Sequence, residues 1–409
     1  MAVLARQIGI FLASLLGAAF LLAFSTAAWG EPAEDAVDHG PAGAPYTTGE
    51  LLVTYEEEAP DSAIESLDEE AGAQVEETIP EIDARLFEFP EIKNEPSERA
   101  REEALARIKE ELERDPAVES VGYNYFYSAS YIPNDPMFGE QWGLMKTGFE
   151  SAWDRARGSG VRIAIVDSGA SVRHEDLRQK IALQRDLINN DGTVEDPFEH
   201  GTHVAGIAAA DTDNRKGVAG GCPDCNLLIA KVLDGNGEGT ATDVAQGIIW
   251  SADRGARVIN VSLGDRHDVH AVRDAVDYAT RKGAVVVAAA GNKDTSRLEY
   301  PAAYPEVIAV AATNRDDRRA WFSNYGDWVD VAAPGVGILS TVPGGYSAWD
   351  GTSMASPHVA ALAGLLASQG RSAVNIKKRI FNTAVDLGPT GRDHYFGYGR
   401  IDANRATTR

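Results

Sequence analysis

The sequence predicts an α/β protein. A mostly parallel central sheet should lie between two layers of helices, preceded by a small α+β unit of ferredoxin-like order. Three observations lead there. After about residue 131, near-continuous apolar runs alternate with helical patterns. Such runs mark strands covered on both faces, as in a parallel sheet flanked by helices. Between residues 48 and 130, shorter half-apolar segments follow the order βαββαβ. Charge is also unevenly shared. Of the formal net charge of −24, residues 31–130 carry 28 acidic against 7 basic side chains, whereas residues 131–409 carry 34 against 30. The acidity belongs to one segment, which predicts two units with different tasks and no nucleic-acid partner.

The elements follow in order. Arg6 precedes an uncharged apolar run over 8–29, which leaves through Ala27-Ala28-Trp29-Gly30. Residues 1–30 therefore read as a signal peptide, and the protein as secreted. A retained run of that length would instead span a bilayer. Residues 31–47 are rich in Ala, Pro and Gly and read as a linker. Strands are predicted over 50–55, 74–79, 84–89 and 118–125, and helices over 62–71 and 97–112. The second helix is the stronger, with Ala104, Leu105, Ile108 and Leu112 on one face and charge elsewhere. Beyond residue 131, apolar strands are predicted over 161–166, 227–232, 258–261, 284–289 and 307–310. There is no internal repeat.

Several of these strands end on polar residues. Val166 leads into Asp167-Ser168-Gly169, and Ala290 into Gly291-Asn292. Ligands of open α/β sheets bind beyond the carboxyl ends of the strands, so Asp167 and Asn292 should face one cleft. His200-Gly201-Thr202-His203 opens a small-residue helix. Its spacing lacks the acidic residue of a His-Glu-x-x-His zinc site. Acid–base work by His200 is the stronger reading, with His203 a structural residue one turn deeper. Near the C-terminus, Gly351-Thr352-Ser353-Met354-Ala355-Ser356-Pro357-His358 leads into an Ala-rich buried helix. Ser353 would stand at its N-terminus, where free backbone N–H groups and the dipole favour negative charge. Pro357 is tolerable because it falls near the helix start.

With these motifs in the order Asp, His, Asn, Ser, the chain resembles the subtilases, the subtilisin-type serine proteases, and in texture their thermitase-like members. The resemblance runs from about Tyr131 to the closing Gly397-Tyr398-Gly399-Arg400-Ile401-Asp402-Ala403. It implies a subtilisin-like three-layer fold over 131–409 and an inhibitory prodomain over 48–130. It also implies a serine endopeptidase in which Ser353 is nucleophile, His200 general base and then acid, Asp167 its orienter, and Asn292 an oxyanion donor. Ser262-Leu263-Gly264 and Gly237-Glu238-Gly239 resemble the two edges between which an extended peptide adds as a strand, with Gly291 beside them. Broad sequence tolerance is expected from such backbone-led binding. Lys293, next to Asn292, would sit at the rim of the substrate pocket and favour neutral or acidic side chains there.

Structural calcium is implied as well. The resemblance assigns Asp135 and Asp176 to one site, with the Asn214 side chain and the carbonyls of Asp211, Lys216 and Val218. Separately, Asp186, Asn189, Asp191, Thr193 and Glu195 space oxygen donors at intervals suited to a hard cation, or simply form a solvated loop. Cys222 and Cys225 depart from the family pattern. In an exported protein they should form a small local disulfide. Partners are then protein or peptide substrates and the protein's own prodomain, in a monomer. Self-cleavage is expected near residues 128–131, before the Tyr131-Ile132-Pro133-Asn134-Asp135-Pro136 segment. The competing reading is a catalytically inactive scaffold that binds peptides.

Overall fold

The computed structural model describes residues 37–39, 45–56, 59–126 and 131–408. The expected signal peptide and residues 128–130 of the expected processing stretch lie outside the described residues. The chain divides into two compact units, Met1–Ser128 and Ala129–Arg409.

The first unit is an antiparallel sheet with two principal helices. Its strands are β1 (Val37–His39), β2 (Pro45–Tyr55), β3 (Gln74–Ile79), β4 (Ala84–Glu88) and β5 (Val118–Tyr125). β2 is central: it pairs with β1, β4 and β5, and β4 also pairs with β3. The order β5-β2-β4-β3 is that of the ferredoxin-like arrangement expected from βαββαβ. Helix Glu98–Leu112 starts where Ser97 accepts a hydrogen bond from the Ala100 N–H. Leu105 and Leu112 are buried with Leu51, Val53, Phe87 and Val121 in one core.

The stretch 31–47 is not only a linker. β1 and the first residues of β2 fall inside it. Asp38 is fully buried, and the Arg101 guanidinium grips its carboxylate. One acidic residue among the four of this stretch gives no sign of this, because its partner lies 63 positions away.

The second unit holds seven parallel strands: β6 (Arg162–Asp167), β7 (Ile181–Asp186), β8 (Asn226–Lys231), β9 (Val258–Val261), β10 (Val285–Ala289), β11 (Ile308–Thr313) and β12 (Val331–Pro334). Their spatial order is β12-β11-β10-β9-β6-β8-β7. Alternate residues of the strands enter two separate cores. Ile163, Ile165, Leu227, Ile229, Val285 and Val287 pack on one face against helices His200–Ala209 and Thr352–Ser368. Ala164, Val166, Leu228, Ile259 and Val286 pack on the other against helices Ala241–Asp253 and His270–Arg281. This is the three-layer arrangement predicted.

Three features escaped the sequence reading. β7 is an edge strand whose middle four residues are exposed, so it lacks the apolar run of its neighbours. β12 is short and ends on Pro334. β13 (Ile338–Val342) and β14 (Gly345–Trp349) form a separate antiparallel hairpin. Cys222 and Cys225 form the expected disulfide. Among the described residues no helix is long and apolar enough to cross a membrane.

Candidate active site

The chain runs from β6 outward to β7, returns through β8, and then crosses to β9 on the other side of β6. The winding therefore reverses beside the carboxyl end of β6, where a doubly wound sheet opens a crevice. Asp167 is the last residue of β6, Ser262 follows β9, and Gly291-Asn292 follow β10 closely.

Asp167 is buried and His200 partly so, and the His200 Nδ1 donates to Asp167 Oδ1 at 2.7 Å. This bond fixes the tautomer, leaving Nε2 free to accept. Two local features bring the pair together. Glu199, before the helix, has φ 69°, a left-handed conformation that turns the chain sharply into His200. Gly201 then lets the helix meet the sheet, because a Cβ there would stand 2.2 Å from the Gly169 carbonyl oxygen. Burial pushes the His200 pKa down, but the charge and hydrogen bond of Asp167, with the charge of Asp196, outweigh it. The imidazole therefore holds its proton more firmly than an ordinary histidine. Asp196 gave no signal in the sequence. It accepts from Ser168 Oγ at 2.7 Å and from the Thr202 N–H and hydroxyl at 2.8 and 2.7 Å, tying the Asp167 turn to the His200 helix.

Ser353 is the second residue of helix Thr352–Ser368, so its N–H has no intrahelical partner. Its hydroxyl donates to the Ser262 carbonyl at 3.0 Å. Pro357 is accommodated more specifically than expected. It lacks the N–H that would reach the Ser353 carbonyl, and Ser262 Oγ donates to that carbonyl instead, at 3.1 Å. Asn292 is exposed, and its orientation is set by Thr352. Asn292 Oδ1 accepts from the Thr352 N–H at 2.9 Å and from its hydroxyl at 2.8 Å, while that hydroxyl accepts from the Gly291 N–H at 3.0 Å. A backbone N–H facing one end of the amide identifies that end as oxygen, so the NH2 is left for the cleft.

These groups share one recess of about 320 Å³, lined by His200, Ser262, Leu263, Gly264, Gly291, Asn292 and Ser353 among others. An adjoining recess of about 640 Å³ lies between Gly237-Glu238-Gly239 and Leu263-Gly264. The predicted peptide edges thus face each other. His203 is structural, as expected: it stacks on Trp349 with ring centres 4.6 Å apart, and its Nε2 meets the Ser347 carbonyl. Burial lowers its pKa to about 4.

Lys293 behaves differently from its predicted role. Its Nζ pairs at 2.9 Å with Oε1 of Glu299, a buried carboxylate in the same recess. The charge at the rim is therefore neutralised, and the expected preference for neutral or acidic side chains loses its basis. Glu299 went unnoticed because it sits in an ordinary loop, outside every motif.

The two cation loops differ. Asp135 and Asp176 are both buried. Asp176 accepts from Asn214 Nδ2 at 2.7 Å and the Val218 N–H at 3.0 Å, and its carbonyl accepts from the Asp211 N–H at 2.8 Å. Lys216 closes the loop by donating its N–H to Asn214 Oδ1 at 2.7 Å. Asp135 Oδ1 is buried without a partner. Burial raises the Asp135 pKa, and the Asp176 charge adds to it. Two buried carboxylates and an orphaned oxygen fit a bound cation. In the second loop, Asp186 accepts the Ile188 and Asn189 N–H groups and Asp191 accepts that of Thr193, so both act as turn formers. Asn189, Thr193 and Glu195 of that set line a common recess. Among the described residues no trio of His, Cys, Asp or Glu converges on a metal position. A cation in either loop would rely on carbonyl and amide oxygens as well.

Comparison with known proteins gives the family of both units. A family model described as "Subtilase family" matches residues 158–399, and one described as "Fervidolysin N-terminal prodomain" matches residues 32–122. The chain is 44% identical over 366 residues to a thermophilic serine proteinase of Bacillus sp. (strain AK1), covering 89% of this chain and 88% of the relative. It is 50% identical over 278 residues to thermitase of Thermoactinomyces vulgaris, covering 68% of this chain and 99% of that protein. A solved structure titled as proteases from Pseudoalteromonas arctica PAMC 21717 superposes with a TM-score of 0.63 at 33% identity, over 68% of this chain and 99% of that one.

Proposed function

This chain belongs to the subtilase family, as a subtilisin-type serine endopeptidase with a prodomain, and on that premise we propose that it is exported and cleaves proteins with broad tolerance through an acyl-enzyme on Ser353. The observation that carries the reading is the 2.7 Å bond from His200 to Asp167, opening onto the recess that Ser353 and Asn292 also line.

An extended substrate would lie between the 237–239 and 262–264 edges. The Ser353 hydroxyl turns from the Ser262 carbonyl toward His200 Nε2, a tightening usual when a Michaelis complex forms. Its oxygen attacks the scissile carbonyl as His200 takes the proton, and Asp167 stabilises the imidazolium. The oxyanion receives the Asn292 NH2 and the Ser353 N–H. His200 then protonates the leaving amine, and water repeats the sequence to release the acid.

The acidic unit would act as folding aid and inhibitor. Parallel sheets form slowly because their pairings are non-local. The segment 125–130 would remain as product in the cleft after self-cleavage. In the first cation loop, Asp135, Asp176, Asn214 and the carbonyls of Asp211, Lys216 and Val218 would hold calcium, which supplies a cross-link between the segment near Asp135 and the loop. A calcium ion in the second loop would draw on the carboxylate lone pairs of Asp186 and Asp191 that their turn bonds leave free.

The test is Ser353→Ala expressed in a protease-free system. The precursor should stay uncut and casein intact, while the unchanged chain trims itself and digests casein until a serine-directed phosphonate is added. Normal trimming of the variant would reject self-processing. Casein left whole by the unchanged chain would favour the inactive scaffold.

A further inference from the structure

We propose that the recess beside Ser353 selects a lysine or arginine side chain immediately before the scissile bond, with Glu299 as its counter-charge. The inference deepens the peptidase reading and rests on it. Glu299 is 4% exposed, and its carboxylate is only half satisfied. Oε1 accepts from Lys293 Nζ at 2.9 Å, whereas Oε2 is buried without a partner. A structural ion pair would be expected to engage both oxygens, since an unpaired buried charge is costly.

The position of this carboxylate points to a ligand. Glu299 lines the same recess as Ser353 and Asn292. Two glycines leave the space around it. A Cβ on Gly264 would stand 3.0 Å from Glu299 Cγ, and one on Gly291 would stand 3.5 Å from Glu299 Cδ. Gly264 belongs to one of the two edges between which the substrate backbone would run, and Gly291 lies beside it in the same recess. The slot is thus bounded by side-chain-free backbone, with an acid inside it. A long cationic side chain leaving the substrate beside Ser353 would bring N–H donors to Oε2. Lys293, whose side chain is 56% exposed, holds one oxygen of the carboxylate and can swing outward. It stands in for the substrate cation. An acidic side chain would meet Glu299 directly, and an aliphatic one would leave Oε2 unpaired.

The test uses the processed protein and a set of tetrapeptide p-nitroanilides that differ only in Lys, Arg, Leu or Glu before the anilide. A charge-assisted bond in a dry slot predicts a kcat/KM roughly ten- to hundred-fold higher for Lys or Arg than for Leu. Glu299→Gln should collapse that ratio, mainly through KM for the basic substrates. Lys293→Ala, which leaves the buried residue in place, should raise the ratio by removing the competitor. Cleavage after Leu as efficient as after Lys, or ratios that neither variant moves, would overturn the inference and leave the peptidase reading intact. Failure to cleave any substrate, together with failure to react with a serine-directed phosphonate, would overturn both.

Discussion

Thr352→Val is the most informative perturbation of the proposed oxyanion site. Valine keeps the shape of threonine but loses the hydroxyl. That hydroxyl donates to Asn292 Oδ1 at 2.8 Å and accepts from the Gly291 N–H at 3.0 Å. The second hold on Asn292, from the Thr352 N–H at 2.9 Å, survives. Each lost neutral bond corresponds to about 0.5–1.5 kcal/mol. Complete loss of an oxyanion donor costs about 2.7–4 kcal/mol in turnover, a figure established on subtilisin, a relative, and not worked out from this structure. With one of two holds on Asn292 remaining, the loss should be partial. We expect kcat to fall by roughly ten-fold, about 1.4 kcal/mol, with KM little changed. The assay is steady-state hydrolysis of a peptide anilide by Thr352→Val and Asn292→Ala side by side. Asn292→Ala should fall further, by roughly 10²–10³. Unchanged turnover in the valine variant would refute the reasoning, because Asn292 would then need no hydroxyl to aim it. A fall equal to that of Asn292→Ala would refute it from the other side.

Two further predictions concern charge. The His200 pKa is raised, chiefly by Asp167 against the opposing effect of burial, and catalysis needs the imidazole neutral. Activity should therefore fall as pH drops through that raised pKa. Asp167→Asn should move the acid limb to lower pH while reducing kcat by about 10⁴, measured as kcat/KM against pH. An acid limb that stays in place would remove Asp167 as the cause. The stability contribution of the same pair runs the opposite way: it is fully present below the unfolded histidine pKa and lost as pH rises through the folded one. Chelation addresses the loop around Asp135, whose orphaned oxygen would lose its partner. At a free calcium level 100-fold above Kd, binding adds about 2.7 kcal/mol, so EDTA should lower the melting temperature by roughly 5–10 °C, read by calorimetry of the processed protein. Identical melting with and without EDTA would argue against a calcium site.

The parallel sheet was legible because burial on both faces forces unbroken apolar runs such as Val285 to Ala289. The exposed edge strand β7 carries no such constraint and was invisible. The ferredoxin-like unit could be read from periodicity, but its first strand could not, since Asp38 is explained only by a guanidinium far along the chain. The motifs proposed for catalysis stood out because a serine at a helix start and an acid at a strand end need particular neighbours within a few residues. The holding groups did not: Asp196 and Thr352 act through partners from other loops, and Glu299 pairs with a lysine of its own loop that no motif marks.

Local chemistry thus determined the strands, the helix beginnings and the small residues that let backbones approach, and with them the layers and the position of the crevice. The tertiary structure alone decided how each side chain in that crevice is aimed and which charges remain paired. Backbone conformation is governed by neighbours along the chain, whereas hydrogen bonds and Coulomb interactions depend on distance through space. That is why Lys293, read alone as a positive rim, becomes half of an ion pair over a buried acid.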